Sequence, residues 1–258
     1  MRRLAVSHSN TGTVHRDDLK IYYAFRTYIC RMAKNKLKRF RENESFSNIF
    51  QPTREEVTAG FSLKGNWNKD YFKNDNPIVL ELACGNGDYA VGLAEKYPDK
   101  NFIGIDIKGS RLWTGAKKAT ETNLTNVAFV RTQIELIEYI FAENEVEDIW
   151  ITFPDPQIKY RRAKHRLTHP LFLNRYKNIL SKTGQVHLKC DSEFLHGYTH
   201  AIIQLLGCTV HETYHDIYKQ FRGHDKNHVL FTIKTYYEEK WLEQGKAINY
   251  IRFALDHE

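Results

Sequence analysis

The feature that most constrains this chain begins at residue 78, where short apolar runs start to alternate with helix-length amphipathic segments. The runs at 78–83, 102–107, 127–130 and 148–153 are too short for buried helices and are rich in Val, Ile and Phe. They read as strands buried on both faces. Helical patterns fill the intervals at about 88–97, 109–122 and 134–142. Strands separated in this way are joined by crossovers, which makes a parallel sheet with helices on both faces. A fifth strand is expected at 185–190 and a helix at 192–206. Two later β-rich runs, 208–214 and 229–236, have no helical stretch between them and predict an antiparallel pair. The expected fold is therefore α/β: a Rossmann-like, doubly wound, mostly parallel sheet closed by a C-terminal antiparallel hairpin.

Composition bounds the partners. Hydrophobic residues are 41% of the 258, enough for a packed core. Lys plus Arg outnumber Asp plus Glu by 38 to 31, and the resulting +7 favours an anionic partner. Cysteines at 30, 84, 190 and 208 form no CxxC pair, so neither a disulfide framework nor a zinc site is expected, and no metal. No apolar stretch of signal-peptide length follows Arg2 and Arg3, and no run nears the roughly 20 apolar residues needed to span a bilayer. A soluble cytoplasmic protein is expected, with monomer and homodimer both open.

Residues 1–16 are polar, and 17–41 look helical and basic, with Arg31, Lys34, Lys36, Lys38, Arg39 and Arg41 crowding the end. Residues 42–76 read as irregular, broken by Pro52, Gly60, Gly65 and Pro77. The expected organisation is a basic, partly flexible extension over 1–50 and a catalytic domain over 51–258.

Two segments carry chemistry. Glu81-Leu82-Ala83-Cys84-Gly85-Asn86-Gly87-Asp88 ends the first strand and opens a helix, and Gly85 and Gly87 let the backbone approach a ligand closely. A G-x-G alone would also suit a dinucleotide. Glu81 at the strand end is poorly placed for a pyrophosphate and suits a cationic group, an ammonium or a sulfonium. Asp106 ends the next strand about 20 residues on, where an acid accepts from ribose hydroxyls. Ribose with a cationic amino-acid tail describes S-adenosylmethionine better than a nicotinamide dinucleotide. Gln133, after the third strand, can meet an adenine edge with both donor and acceptor. The second segment, Phe153-Pro154-Asp155-Pro156, fixes one carboxylate between two prolines at a strand end, where open α/β sheets bind ligands. The cations Lys159, Arg161, Arg162, Lys164 and Arg166 follow at once and suit phosphates. A rigid acid beside such a strip points to chemistry on a nucleic acid. His165, His169 and His187 lack metal-ligand spacing, and Tyr236, Tyr237 and Trp241 read as packing.

Together these segments resemble the bacterial tRNA (guanine-N7-)-methyltransferase family. The markers are Glu81-x-x-x-Gly85-x-Gly87, the 101–106 strand ending in Asp106, Phe153-Pro154-Asp155-Pro156-x-x-Lys159 with its basic run through Arg166-Leu167, and Asp191 after the fifth strand. The resemblance implies the class I methyltransferase fold, S-adenosylmethionine as methyl donor, and tRNA as substrate, modified at guanosine 46 of its variable loop. It implies that Glu81, Asp106, Gln133 and Asp155 line the donor pocket, that Asp155 also serves catalysis, and that Lys159 and Asp191 meet the substrate. The chain departs from the pattern at Gln133, where the family has an acid, at Gln157, where it has Trp, and at Cys190, where it has Thr. The family's C-terminal Thr-x-Tyr/Phe-Glu substrate motif is matched only loosely by Tyr214-His215-Asp216-Ile217-Tyr218, which makes Asp216 the candidate there. Two other readings stay open: a catalytically silent RNA-binding protein that keeps the fold, and a dinucleotide-dependent oxidoreductase.

Overall fold

A computed structural model describes residues 35–221 and 227–256. The basic segment of 17–34 lies outside the described residues. Its continuation, α1 over 35–42, exposes Lys36, Lys38 and Arg41. The region expected to be irregular is structured. Strand β1 (Ile49–Phe50) pairs with a later strand, and helix α2 (Arg54–Gly60) starts at a capping box. In that box Thr53 Oγ1 accepts from the Glu56 amide at 3.2 Å and the Glu56 carboxylate accepts from the Thr53 amide at 2.7 Å.

The alternating half follows the pattern. It runs β2 (Ile78–Leu82), α3 (Asp88–Lys96), β3 (Asn101–Asp106), α4 (Gly109–Glu121) and β4 (Val127–Arg131). After β4 a 3₁₀ turn (Ile134–Leu136) and the short α5 (Ile137–Ile140) stand where a longer helix was expected. Then come β5 (Val146–Thr152), α6 (Pro170–Ile179), β6 (Leu180–Cys190) and α7 (Glu193–Leu205). Helix α6, not foreseen, begins with Pro170 at its first turn and a cap from His169, whose Nδ1 accepts from the Leu171 amide at 3.2 Å. After β7 (Val210–Tyr214) lie α8 (Ile217–Gln220), α9 (Val229–Thr232), α10 (Tyr236–Glu243) and β8 (Asn249–Ala254).

The eight strands lie in the order β1-β4-β3-β2-β5-β6-β8-β7. The pairs from β1 to β6 are parallel, and β8 runs antiparallel to both β6 and β7. The antiparallel closure was expected, but its second strand is Asn249–Ala254. Residues 229–232 are helical instead, and 233–235 link that helix to α10. His228 caps α9, and Val229, Leu230 and Ile233 use their apolar side chains to cover one sheet face. Alternate strand residues feed two cores. Leu80, Ile103, Val130 and Ile151 point to one layer, and Val79, Phe102, Phe129 and Trp150 to the other. In the second layer the Phe129 ring fills a notch left by Gly87, Gly104 and Gly115, each of which would clash with it if it carried a Cβ.

Strands β3, β4 and β1 lie on one side of β2 and β5 on the other, so the order in which strands are added switches sides between β2 and β5. The carboxyl ends of these strands open a crevice, the position where doubly wound sheets bind ligands.

Candidate active site

A cavity of about 800 Å³ occupies that crevice. Its walls come from the residues after β2 (Ala83 to Asn86 and Asp88), after β3 (Asp106 to Lys108), at the end of β5 (Thr152 to Pro156), and Asp191 after β6. Thr235, Tyr236, Tyr237 and Trp241 close another side. Four carboxylates line it (Asp88, Asp106, Asp155 and Asp191) against two cations, Lys108 and Arg111. That balance fits a cationic ligand and disfavours a pyrophosphate.

The glycine turn is built by hydrogen bonds that begin in the sheet. Gly87 donates to the Cys84 carbonyl at 2.8 Å, and Gly85 donates to Asp106 Oδ2 at 3.0 Å. Asp106 Oδ1 accepts from the Lys108 amide at 2.8 Å, so this acid ties the β2 and β3 loops together at the cavity wall. Gly85 has φ 56°, and a Cβ there would meet no atom within 4 Å. The backbone thus borders open space, as close approach by a ligand requires.

Glu81, expected at the donor, sits beneath the turn. It is 2% exposed and absent from the cavity lining. Its Oε2 accepts from the Ala90 amide at 2.8 Å and its Oε1 from the Thr152 hydroxyl at 2.8 Å, which joins β2 to α3 and β5. Burial pushes its pKa up to about 8, against the pull of these two hydrogen bonds. It supports the turn from beneath. Burial also raises the Asp88 carboxyl, whose main partner is the backbone of Tyr236.

Asp155 is exposed on the cavity rim, and its Oδ1 accepts from the Gln157 amide at 3.0 Å. The loop around it is strained. Phe153 and Gln157 both have φ 47°, and Ala83 across the cavity has φ 54°. Half of the six non-glycine residues with positive φ among the described residues therefore border this cavity or continue its wall. Backbone strain of this kind concentrates at functional sites.

Of the basic strip, Lys159, Arg161, Arg162 and Lys164 are exposed beside this rim, while Arg166 is not available to phosphates. Only 6% exposed, its guanidinium lies 4.3 Å from the Tyr198 ring centre and 4.8 Å from that of Phe194, and donates to the Gln157 carbonyl at 3.3 and 3.2 Å. Gln133 is exposed, lies outside the cavity lining, and accepts from Arg54 Nη1 at 2.8 Å. Asp191 lines the cavity and pairs with Lys246 at 3.5 Å. Asp216 does not line it. Its carboxylate caps α8 through the Tyr218 amide at 3.1 Å and pairs with Lys219 at 3.0 Å.

Of the aromatic tail expected to pack, Trp241 does so against the core, whereas the two tyrosines do not. Tyr236, 61% exposed, and Tyr237, 40% exposed, stand on the cavity with Thr235 and Trp241. Thr235-Tyr236-Tyr237-Glu238 is a Thr-x-Tyr-Glu sequence, a closer match to the family's C-terminal motif than 214–218. It was legible all along, hidden by the strand assigned to 229–236. Glu238 is fully buried and forms an ion pair with the equally buried Lys189 of β6 at 2.7 Å. Lys189 Nζ also donates to Tyr89 Oη at 3.0 Å and to the Leu230 carbonyl at 2.7 Å. Desolvation pulls its pKa down to about 8, with Glu238 opposing. Among the described residues no cluster of three His, Cys, Asp or Glu could hold a metal ion, and no helix is long and apolar enough to cross a membrane.

Comparison with known proteins decides the family. A family profile described as a putative methyltransferase matches residues 75–251. A tRNA (guanine-N(7)-)-methyltransferase of Christiangramia forsetii is 60% identical over 224 residues, covering 86% of this chain and 99% of that protein. The chain belongs to the tRNA (guanine-N7-)-methyltransferase family. A second member, from Porphyromonas gingivalis, is 50% identical over 82% of this chain and 86% of its own length. Among solved structures, an antibiotic-related methyltransferase aligns with a TM-score of 0.54 at 18% identity, over 77% of this chain and 96% of its own. The 16S rRNA methyltransferase KamB aligns with a TM-score of 0.55 at 10% identity, over 71% and 90%. These two share the fold, the class I methyltransferase architecture that the resemblance implied.

Proposed function

We propose that this methyltransferase transfers the methyl group of S-adenosylmethionine to N7 of guanosine 46 in the variable loop of tRNA. The observation that carries the reading is a cavity lined by four carboxylates, with four exposed cations on its rim, in a chain 60% identical to an enzyme named for this reaction. S-adenosylmethionine brings an electrophilic methyl group on a sulfonium, and its ribose and cationic tail match Asp106 and the acidic lining. The Gly85–Gly87 turn gives its backbone to the donor, and Lys159, Arg161, Arg162 and Lys164 hold phosphates around the target.

Guanine N7 has an in-plane lone pair and no proton near neutral pH, so its attack needs no general base. The purine would acquire positive charge as the N7–CH3 bond forms and the S–CH3 bond breaks, leaving the neutral thioether S-adenosylhomocysteine. Asp155, exposed at the rim between its prolines, stabilises that charge as it develops and fixes the base. Asp191 and the Thr235–Tyr237 wall bound the same space from the opposite side. Alignment of the reacting atoms supplies much of the rest, for which effective molarities allow about 7–11 kcal/mol.

The purified protein, given S-adenosylmethionine and unmodified tRNA, produces N7-methylguanosine on nucleoside mass spectrometry. Asp155→Ala lowers kcat by about 10²–10³-fold, the usual loss for one electrostatic group aimed at developing charge, with circular dichroism unchanged. Full activity in that variant removes Asp155 from the mechanism.

A further inference from the structure

The loop beyond Asp155 is held in a way that phosphate binding alone does not require. Arg166 lies buried beneath it, stacked on Phe194 and Tyr198 of α7, with its guanidinium on the Gln157 and Ile158 carbonyls at 3.2–3.4 Å. Arg162 Nε donates to Gln157 Oε1 at 3.0 Å, and a 3₁₀ helix (Tyr160–His165) shapes the outer turn. This clasp pre-forms the loop and keeps its outer side chains out of the core. One of them is Tyr160, the most exposed large hydrophobic side chain described, at 91%. Its neighbour Ile158 is 67% exposed, and Lys159 and Arg161 flank the ring on either side in the chain. An aromatic ring held out in water between cations, on a fixed loop at the rim of a methyl-transfer cavity, has the chemistry of a base-stacking platform.

We propose that Tyr160 stacks on an unpaired base of the tRNA next to the methylated guanosine, while the flanking cations hold the phosphates on either side. Folded RNA is recognised through unpaired bases splayed onto aromatic rings, and stacking tolerates any base because each has a π-face. Tyr160 thereby sets how the target nucleotide enters the cavity, with Ile158 widening the apolar contact. The inference rests on tRNA being the substrate.

The test compares wild type, Tyr160→Ala and Tyr160→Phe in tRNA binding over a range of salt concentrations and in steady-state kinetics. Tyr160→Ala is expected to raise the KM and Kd for tRNA about tenfold, the loss typical of one base–aromatic stack, with the effect concentrated in KM. The slope of log K against log salt stays that of wild type, because no phosphate contact is lost. Tyr160→Phe restores wild-type affinity, since the π-face is kept. An unchanged KM in Tyr160→Ala overturns the proposal, as does equal loss in Tyr160→Phe, which would mark a hydroxyl contact. A shifted salt slope, or weaker binding of S-adenosylhomocysteine, also overturns it, by assigning the effect to charge or to the shape of the cavity. If wild type itself fails to bind or methylate tRNA, the failure belongs to the function proposed above.

Discussion

Glu81 lies where water scarcely reaches it, one oxygen on the Ala90 amide and the other on the Thr152 hydroxyl. Its position in a motif suggested a ligand contact, and only packing reveals a support beneath the turn. With its pKa raised from 4.5 to about 8, the folded chain keeps a proton that the unfolded chain releases. Folded-state stability from this group therefore falls as pH rises through that window. Glu81→Gln can still accept from the Ala90 amide through its oxygen and donate to the Thr152 hydroxyl through its nitrogen, and it is expected to flatten the decline, as urea denaturation at about pH 5 and about pH 8 would show. An undiminished decline would assign it to other groups. The two turn glycines should separate in the same spirit. A Cβ at Gly87 falls 2.5 Å from Phe129 Cε1, so Gly87→Ala costs about 1–3 kcal/mol from overpacking alone. Gly85→Ala meets no atom within 4 Å and should spare more stability while lowering affinity for S-adenosylhomocysteine. Thermal melts with calorimetry distinguish the two.

At the scale of elements, the parallel strands were readable because each is apolar on both faces and short. Local pattern failed at 229–236, where Val229, Leu230 and Ile233 are buried as a helix and loop laid over the sheet. Helix and strand give the same signal in so short an apolar run. That error also hid Thr235, Tyr236 and Tyr237 from the site. Their position depends on α10, which the Glu238–Lys189 pair pins to β6. Removing one partner leaves an uncompensated buried charge, so Lys189→Met is expected to cost about 3–5 kcal/mol. Lys189→Met with Glu238→Leu should cost less than the sum of the single changes. A double-mutant cycle in urea that proves additive would show that the pair does not anchor the helix.

Over the whole molecule the +7 excess matters through its placement. Lys159, Arg161, Arg162 and Lys164 share one exposed rim beside an acidic cavity, so the two charge signs stand side by side. Replacing all four by Gln should lower the magnitude of the salt slope of tRNA binding by about 3, near 0.7–0.9 per phosphate contact, and leave S-adenosylhomocysteine binding intact. The strip, Asp155, Asp106 and the glycine turn were legible in the sequence because each sits at a strand end that the alternation already located. The burial of Arg166 and Glu81 was not, since it depends on α7 and α3 folding back against those ends. The most direct test is methyl transfer to tRNA carrying either guanosine or 7-deazaguanosine at the target position, read by nucleoside mass spectrometry. Methylation of the guanosine and none of the 7-deaza base is predicted, because the latter lacks the attacking nitrogen. Methyl incorporation into both would contradict the account.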